Sequence, residues 1–282
     1  MLEELIDALL YEGYALYPYT PGSTKNSTPT PFGIVYPPGY AADQPAAHDT
    51  LRMDMALEPA AEGAEIEATV RFLQAGTDSE RRAIERRVEL PRTSLDALRD
   101  GGVGAPFEFD GLTGRARVRV HEIDGDRSRV RVRVCVHNTT EPERAIEDRG
   151  SALAHSLIST HVIAHAPGSR FESATEHPEL QSVNTFPVLA TEADDTALGA
   201  TIVLPDHPRL APESAGSLFD GTEIEEALLL HVQTLSDPER EAIASGDPAV
   251  RAMVERAACA TPEEMMRLHG RLEMRDPEIK ES

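Results

Sequence analysis

The sequence predicts an α+β protein: a mainly antiparallel, sandwich-like β body, a short N-terminal helix and a helical C-terminal tail. Three observations carry this. The middle of the chain alternates apolar and polar residues with period two, as strands with one buried face do. Residues 2–10 repeat apolar side chains at helical spacing, and residues 222–282 carry successive helix-start signals. The 282 residues are 40% hydrophobic but only 5% aromatic, which suits an aliphatic core in one large domain or two modest ones.

In order along the chain, Leu2, Leu5, Ile6, Leu9 and Leu10 form one stripe of the opening helix, with Gly13 placed to end it. Residues 14–30, rich in Tyr, Pro, Ser, Thr and Gly, read as an irregular loop. "FGIVYP" reads as a short strand and "PPGYAADQPAAHD" as a linker or surface loop. Strands follow at "LRMDMALE", "EIEATVRF" and "AIERRVEL", the last ended by Pro91 with Ile84, Val88 and Leu90 on one parity. "TSLDALRDGG" is a short helix stopped by glycine and "PFEFDG" another strand.

The clearest pair is "LTGRARVRVHEIDGDRSRVRVRVCVH". It sets Val118, Val120, Val130, Val132, Val134 and Val136 on one face, with Arg115, Arg117, Arg119, His121, Arg129, Arg131, Arg133, Cys135 and His137 on the other. A two-residue loop would set valines opposite arginines. An odd-length loop around Gly125, with that glycine at or near its left-handed position, pairs Arg119 with Arg131 and Val118 with Val132. Beyond it, "ERAIEDRGSALAHSL" reads as a helix, "THVIAHAPGSRFESAT" as a hairpin around Pro167 and Gly168, and "SVNTFPVLAT" and "ATIVLP" as strands. Thr222 with Glu225, Ser236 with Pro238 and Glu239, and Thr261 with Pro262 and Glu264 then open three helices, the last closed by Gly270. The expected organisation is 1–45 (helix and tyrosine-rich loop packed on the body), 46–221 (β-rich body) and 222–282 (helical region).

The formal net charge is -22, which disfavours nucleic-acid and membrane-surface binding. Lys25 and Lys280 are the only lysines, a skew toward arginine that fits a GC-rich genome and, with the acid excess, a salt-adapted cytoplasm. Cys135 and Cys259 stand far apart and outside any CxxC pair, against a disulfide framework or a cysteine-rich zinc site. The acidic opening lacks a basic n-region and a small-residue cleavage site, and no apolar run approaches a membrane span. The expectation is a soluble cytoplasmic protein.

Candidate chemistry is sparse. The arginine row repels itself, since like charges on neighbouring strands are destabilising. It needs acids from elsewhere, with Glu65 and Glu67 on another strand, or an acidic partner, as candidates. A solvated outer face is the plain reading; Arg117, Arg119, Arg131 and Arg133 are the candidate ligand-binding residues. His155, His161 and His165 form H-x5-H-x3-H, and His161 and His165 would share a face, but no Glu of an HExxH motif accompanies them. Structural histidines are the better reading, so no metal or other cofactor is assigned. "PDHPRLAPESAGSLFDGTEIEE" holds Asp206, His207, Glu213 and Asp220 without EF-hand spacing. No GxSxG, GxxxxGK[ST] or GxGxxG motif is present, so no catalytic residue is named.

All six tyrosines fall between Leu9 and Tyr40, in "LLYEGYALYPYTPGSTKNSTPTPFGIVYPPGY". Tyrosines in irregular structure supply contact area at low entropic cost, useful against a partner or as a lid on the protein's own body. The stretch "LLYEGYALYPYTPGSTKN" resembles the opening "LYEGYxLYPYxPxxxKN" of a family of bacterial and archaeal proteins associated with gene clusters for uptake-type [NiFe] hydrogenases. "NTFPVL", "DHPRLAPESAGSLFDGTEI" and the late "LHG" are similar as well. The chain departs from the family at "STPTPFG", where a more basic and aromatic run is expected. The resemblance implies a hydrogenase-linked accessory, assembly or scaffold protein and carries over no catalytic residue.

The first expectation is therefore a non-catalytic accessory protein. It would hold a protein partner, such as a hydrogenase subunit or maturation factor, through Tyr14, Tyr17, Tyr19, Lys25, Asn26 and the segment with Asp206, His207, Glu213 and Asp220. A metal-dependent or serine-type hydrolase is one alternative. A small-ligand-binding module using the arginine face is the other.

Overall fold

The structure, a computed structural model, describes residues 2–15 (11–15 as backbone), 33–60, 63–75, 83–123, 126–146, 148–209 and Glu255. The elements in chain order are α1 (Leu2–Ala15), α2 (Pro38–Ala41), β1 (Thr50–Glu58), β2 (Glu65–Ala75), β3 (Ala83–Ser94), α3 (Leu95–Arg99), β4 (Val103–Phe109), β5 (Leu112–Ile123), β6 (Asp126–Asn138), α4 (Arg149–Leu153), β7 (Ile158–His165), β8 (Arg170–Phe171), β9 (Phe186–Leu189) and β10 (Thr196–Ala200).

Period-two alternation gives each long strand one apolar face, and the strands assemble into two five-stranded antiparallel sheets. The first has the order β4-β5-β6-β1-β8 and the second β3-β2-β7-β10-β9. Their apolar faces share one core. Leu51, Met53, Met55, Leu57, Val118, Val120, Val132 and Val134 come from the first sheet, and Ile66, Ala68, Val70, Phe72, Val162 and Ala164 from the second. Each Val, Leu, Ile, Met or Phe side chain among them contributes about 1.5–3 kcal/mol on burial, so the aromatic-poor composition still yields a substantial core.

The second sheet is also covered on its other side. Leu5, Ile6, Leu9 and Leu10 of α1 join Leu73, Ile158, Leu198 and Ala200 in a separate apolar cluster. Arg71 of β2 fastens this helix. Its guanidinium, almost wholly buried, meets Glu3 at 2.8 Å, Asp7, and Glu85 of β3 at 2.7 Å. Glu3 and Asp7 are one helical turn apart, so the spacing of α1 itself aims both at one cation. The opposite face of the first sheet has no such cover from a described helix.

Several local expectations are corrected. Val35 makes only single bridges, to His48 and Leu157, so "FGIVYP" is not a strand, and the following segment opens with α2 rather than a plain loop. β3 runs through Pro91 to Ser94, because a bulge between Ile66 and Ala68 removes the proline from the ladder on this edge strand. Ile84 is exposed, unlike Val88 and Leu90. The helix expected over residues 143–157 is confined to α4, capped by Asp148, which accepts from Ser151 N. β10 ends at Ala200, short of the apolar residues that follow.

Two corrections concern topology. Residues 158–171 are not a hairpin: β7 pairs with β2 and β10, whereas β8 pairs with β1, so the turn at Pro167 and Gly168 carries the chain between sheets. The β5–β6 pair keeps valine opposite valine, but in a different register. Arg119 faces Arg133 and Val120 faces Val132, while Ile123 faces Asp126 past a register shift after Glu122. Two residues thus separate the strands rather than an odd number. The bulge restores the parity that a two-residue connection alone would break. Gly125, like the expected helices of the tail, lies outside the described residues.

Candidate functional site

The outer face of the first sheet is built by three adjacent strands. The ladder β1-β6-β5 sets Arg52 beside Cys135 and Arg117, Asp54 beside Arg133 and Arg119, and Ala56 beside Arg131 and His121. Arg115 faces His137 in the row above. Alternation dictates this arrangement: the valines and methionines of the same strands point into the core, so every intervening residue points out.

One carboxylate serves the centre. Asp54, only 2% exposed, accepts from Arg133 Nε at 2.7 Å and Nη2 at 2.6 Å, and Arg52 Nε stands 3.6 Å away. The paired carboxylate raises the pKa of Arg133, and the bidentate fork fixes its plane. Arg129 and Arg170 at the lower end are neutralised by Glu172 (2.7 Å) and Glu58 (3.1 Å). Glu172 also meets His177 Nε2 at 2.5 Å. Glu65 and Glu67, the expected counter-ions, lie in the second sheet, where Glu67 meets Arg92 at 3.4 Å. That expectation is corrected: β1 and the segment after β8 supply the acids.

Among the described residues, the centre of the row remains uncompensated: Arg115, Arg117, Arg119 and Arg131 have no carboxylate oxygen within 4.0 Å. Arg117 donates instead to the carbonyl of Gly101. The Nε atoms of Arg119 and Arg131 and Nε2 of His121 are buried without a hydrogen-bond partner. The local field is evident in His121, whose pKa is lowered by burial and by Arg131, Arg133 and Arg119. Burial raises the pKa of the Cys135 thiol despite its arginine neighbours. The arrangement offers fixed guanidinium donors to an anion.

The other expected site residues are dispersed. His161 and His165 do share the α1-facing side of β7, but they sit four residues apart, about 13 Å along a strand. His161 hydrogen-bonds Ser159 O and His165 hydrogen-bonds Thr196 Oγ1, while His155 precedes β7 and its carbonyl accepts from Asn138. Among the described residues, no three His, Cys, Asp or Glu side chains converge as metal ligands would. Asp206 accepts from Leu189 N (2.9 Å) and Ser173 Oγ (2.5 Å), and His207 contacts Asp194 at 2.7 Å, so both tie the chain to the β9–β10 region. Tyr17, Tyr19, Lys25, Asn26, Glu213, Asp220 and the side chain of Tyr14 lie outside the described residues.

Sequence reasoning named four arginines of the face and missed Arg52 and Asp54. Their signal was present in the alternation of β1, but only the pairing of β1 with β6 brings them to the site. No protein-family model matches the chain, and no curated protein matches it. Among the described residues, no helix is long and apolar enough to cross a membrane.

Proposed function

We propose that this protein is a non-catalytic accessory or scaffold protein that holds an anionic partner on the outer face of its first sheet. The supporting observation is the arginine row itself: among the described residues, Arg115, Arg117, Arg119 and Arg131 have no carboxylate within 4.0 Å, in a chain of net charge -22. A bound carboxylate or phosphate would supply the counter-charge that these guanidiniums lack among the described residues. The resemblance of the tyrosine-rich opening to a hydrogenase-linked family makes subunits or maturation factors of a [NiFe] hydrogenase the first partners to seek. The tyrosine segment, with Tyr17 and Tyr19, would be a second contact.

The test is affinity purification of the tagged protein from its native host at native salt, with mass spectrometry of what accompanies it. Recovery of a stoichiometric partner that is lost from Arg119→Gln/Arg131→Gln, with the variant still folded, supports the reading. Retention of every partner by that variant removes the arginine face from the function. Loss on Tyr17→Ala/Tyr19→Ala alone would assign the contact to the tyrosine segment instead.

A further inference from the structure

Resting on that reading, we infer that the arginine face binds an extended acidic peptide segment of a protein partner, laid along β5 and β6 with its carboxylates on alternate residues. The spacing is the first ground. Arg115, Arg117 and Arg119 occupy alternate positions of β5, and Arg131 and Arg133 repeat the row on β6. Same-face residues of a strand recur about every 6.7 Å, and an extended peptide has the same period. Acids at alternate positions of such a segment therefore meet successive guanidiniums without either chain bending.

Donor chemistry is the second ground. A guanidinium fork fits a planar carboxylate with two parallel hydrogen bonds, and Asp54 already shows this geometry with Arg133. Arg119, beside Arg133 in the same row, and Arg131, one row along β6, have no such carboxylate among the described residues. The peptide supplies to them what Asp54 supplies to Arg133.

The face also discriminates against a polynucleotide. Its outward positions on β1, β5 and β6, from Thr50 through Ala56, Arg115 through His121 and Arg131 through His137, contain no Phe, Tyr or Trp. Single-stranded nucleic acid is held by aromatic platforms as well as by charge. A net charge of -22 further opposes a continuous phosphate backbone, whereas a short acidic segment meets only the local field. Glu58, Asp54 and Glu172 bound the row on its β1 side and at its lower end, so the footprint is confined to β5 and β6.

Fluorescence anisotropy with the full chain tests this. The probes are a labelled peptide of alternating Ser and Asp, a block peptide of the same composition, and an oligothymidylate of matching length. The alternating peptide is expected to bind at least about tenfold more tightly than the block peptide and the oligonucleotide, with affinity falling steeply as salt rises. Arg119→Gln/Arg131→Gln should lose about tenfold or more, and Arg119→Lys/Arg131→Lys, which keeps charge but not the fork, should lose part of that. Thermal unfolding confirms that both variants are folded. Equal binding of the two peptides overturns the alternating register, and tighter binding of the oligonucleotide overturns the peptide as occupant. In both cases an arginine-dependent loss leaves the anion-holding reading standing. Binding unaffected by either double substitution overturns that reading too.

Discussion

Arg71 stands directly opposite His161 in the β2–β7 ladder, a fixed cation beside an imidazole with no exposed surface. The Nδ1 of His161 lies 2.8 Å from the carbonyl of Ser159, which can only accept, so Nδ1 carries the proton. Nε2 has no partner. A second proton there would be a buried donor with nothing to bond, next to a guanidinium. Burial, aided by Arg71 and opposed by the Ser159 hydrogen bond, lowers the pKa of His161 to about 4.

The sign of the resulting pH dependence follows. The folded pKa lies below the unfolded value near 6.5, so below pH 6.5 the unfolded chain takes up a proton that the folded chain refuses. Stability present in full above pH 6.5 should decline toward pH 4, by about 3 kcal/mol from this group. Urea midpoints of wild type and His161→Leu over that range should diverge, with the variant losing less. Midpoints that fall in parallel would show that His161 does not carry the effect.

Arg71 should be far more sensitive than its partners. Arg71→Met leaves Glu3, Asp7 and Glu85 facing one another without their shared cation, and losing these charge-assisted hydrogen bonds to partly exposed acids should cost about 1.5–3 kcal/mol. Glu3→Gln, at an exposed side chain with two other carboxylates remaining, should change stability by no more than about 1 kcal/mol. Urea unfolding separates the two. Hydrogen exchange should show the amides of Leu9 and Leu10 opening first in Arg71→Met, because α1 is what the cation fastens.

Asp54→Asn should move stability and binding in opposite directions. The carboxylate is buried and holds Arg133 through two hydrogen bonds, so its neutral isostere should cost about 2–4 kcal/mol. The same change removes a central negative charge of the arginine face. Affinity for the alternating acidic peptide should then rise several-fold at low salt. A parallel loss of both properties would mean that Asp54 orders the face more than it neutralises it.

The contrast between Arg133 and Asp54 also shows what a sequence can reveal. The arginine face was legible because β5 and β6 are adjacent in sequence and alternate strictly, so valine parity alone separates inside from outside. The register was not, because the bulge after Glu122 shifts the pairing without leaving a compositional mark. Asp54 was missed because β1 reaches β6 across four intervening strands, and only the closed core makes them neighbours. The turn at Pro167 and Gly168 announced a reversal, but nothing local says which sheet receives the returning strand. Among the histidines, shared parity on β7 was correct, while burial of His161 under α1 depended on a helix far away in the chain.

Gly33 seats the segment before β1 against β7. Its φ is +61°, a left-handed conformation, and its carbonyl accepts from Thr160 N at 2.9 Å. A Cβ added there would lie 2.3 Å from Thr201 Cγ2 and 3.0 Å from Thr160 O. Gly33→Ala therefore incurs both the left-handed penalty, about 1–2 kcal/mol, and overpacking against a buried methyl, about 1–3 kcal/mol. Thr201→Ser removes that methyl while keeping the hydroxyl. In a double-mutant cycle, Thr201→Ser should recover about 1 kcal/mol or more of the Gly33→Ala loss, leaving the backbone part in place. Strict additivity would show that the clash is relieved by movement of residues 33–36 rather than borne by Thr201.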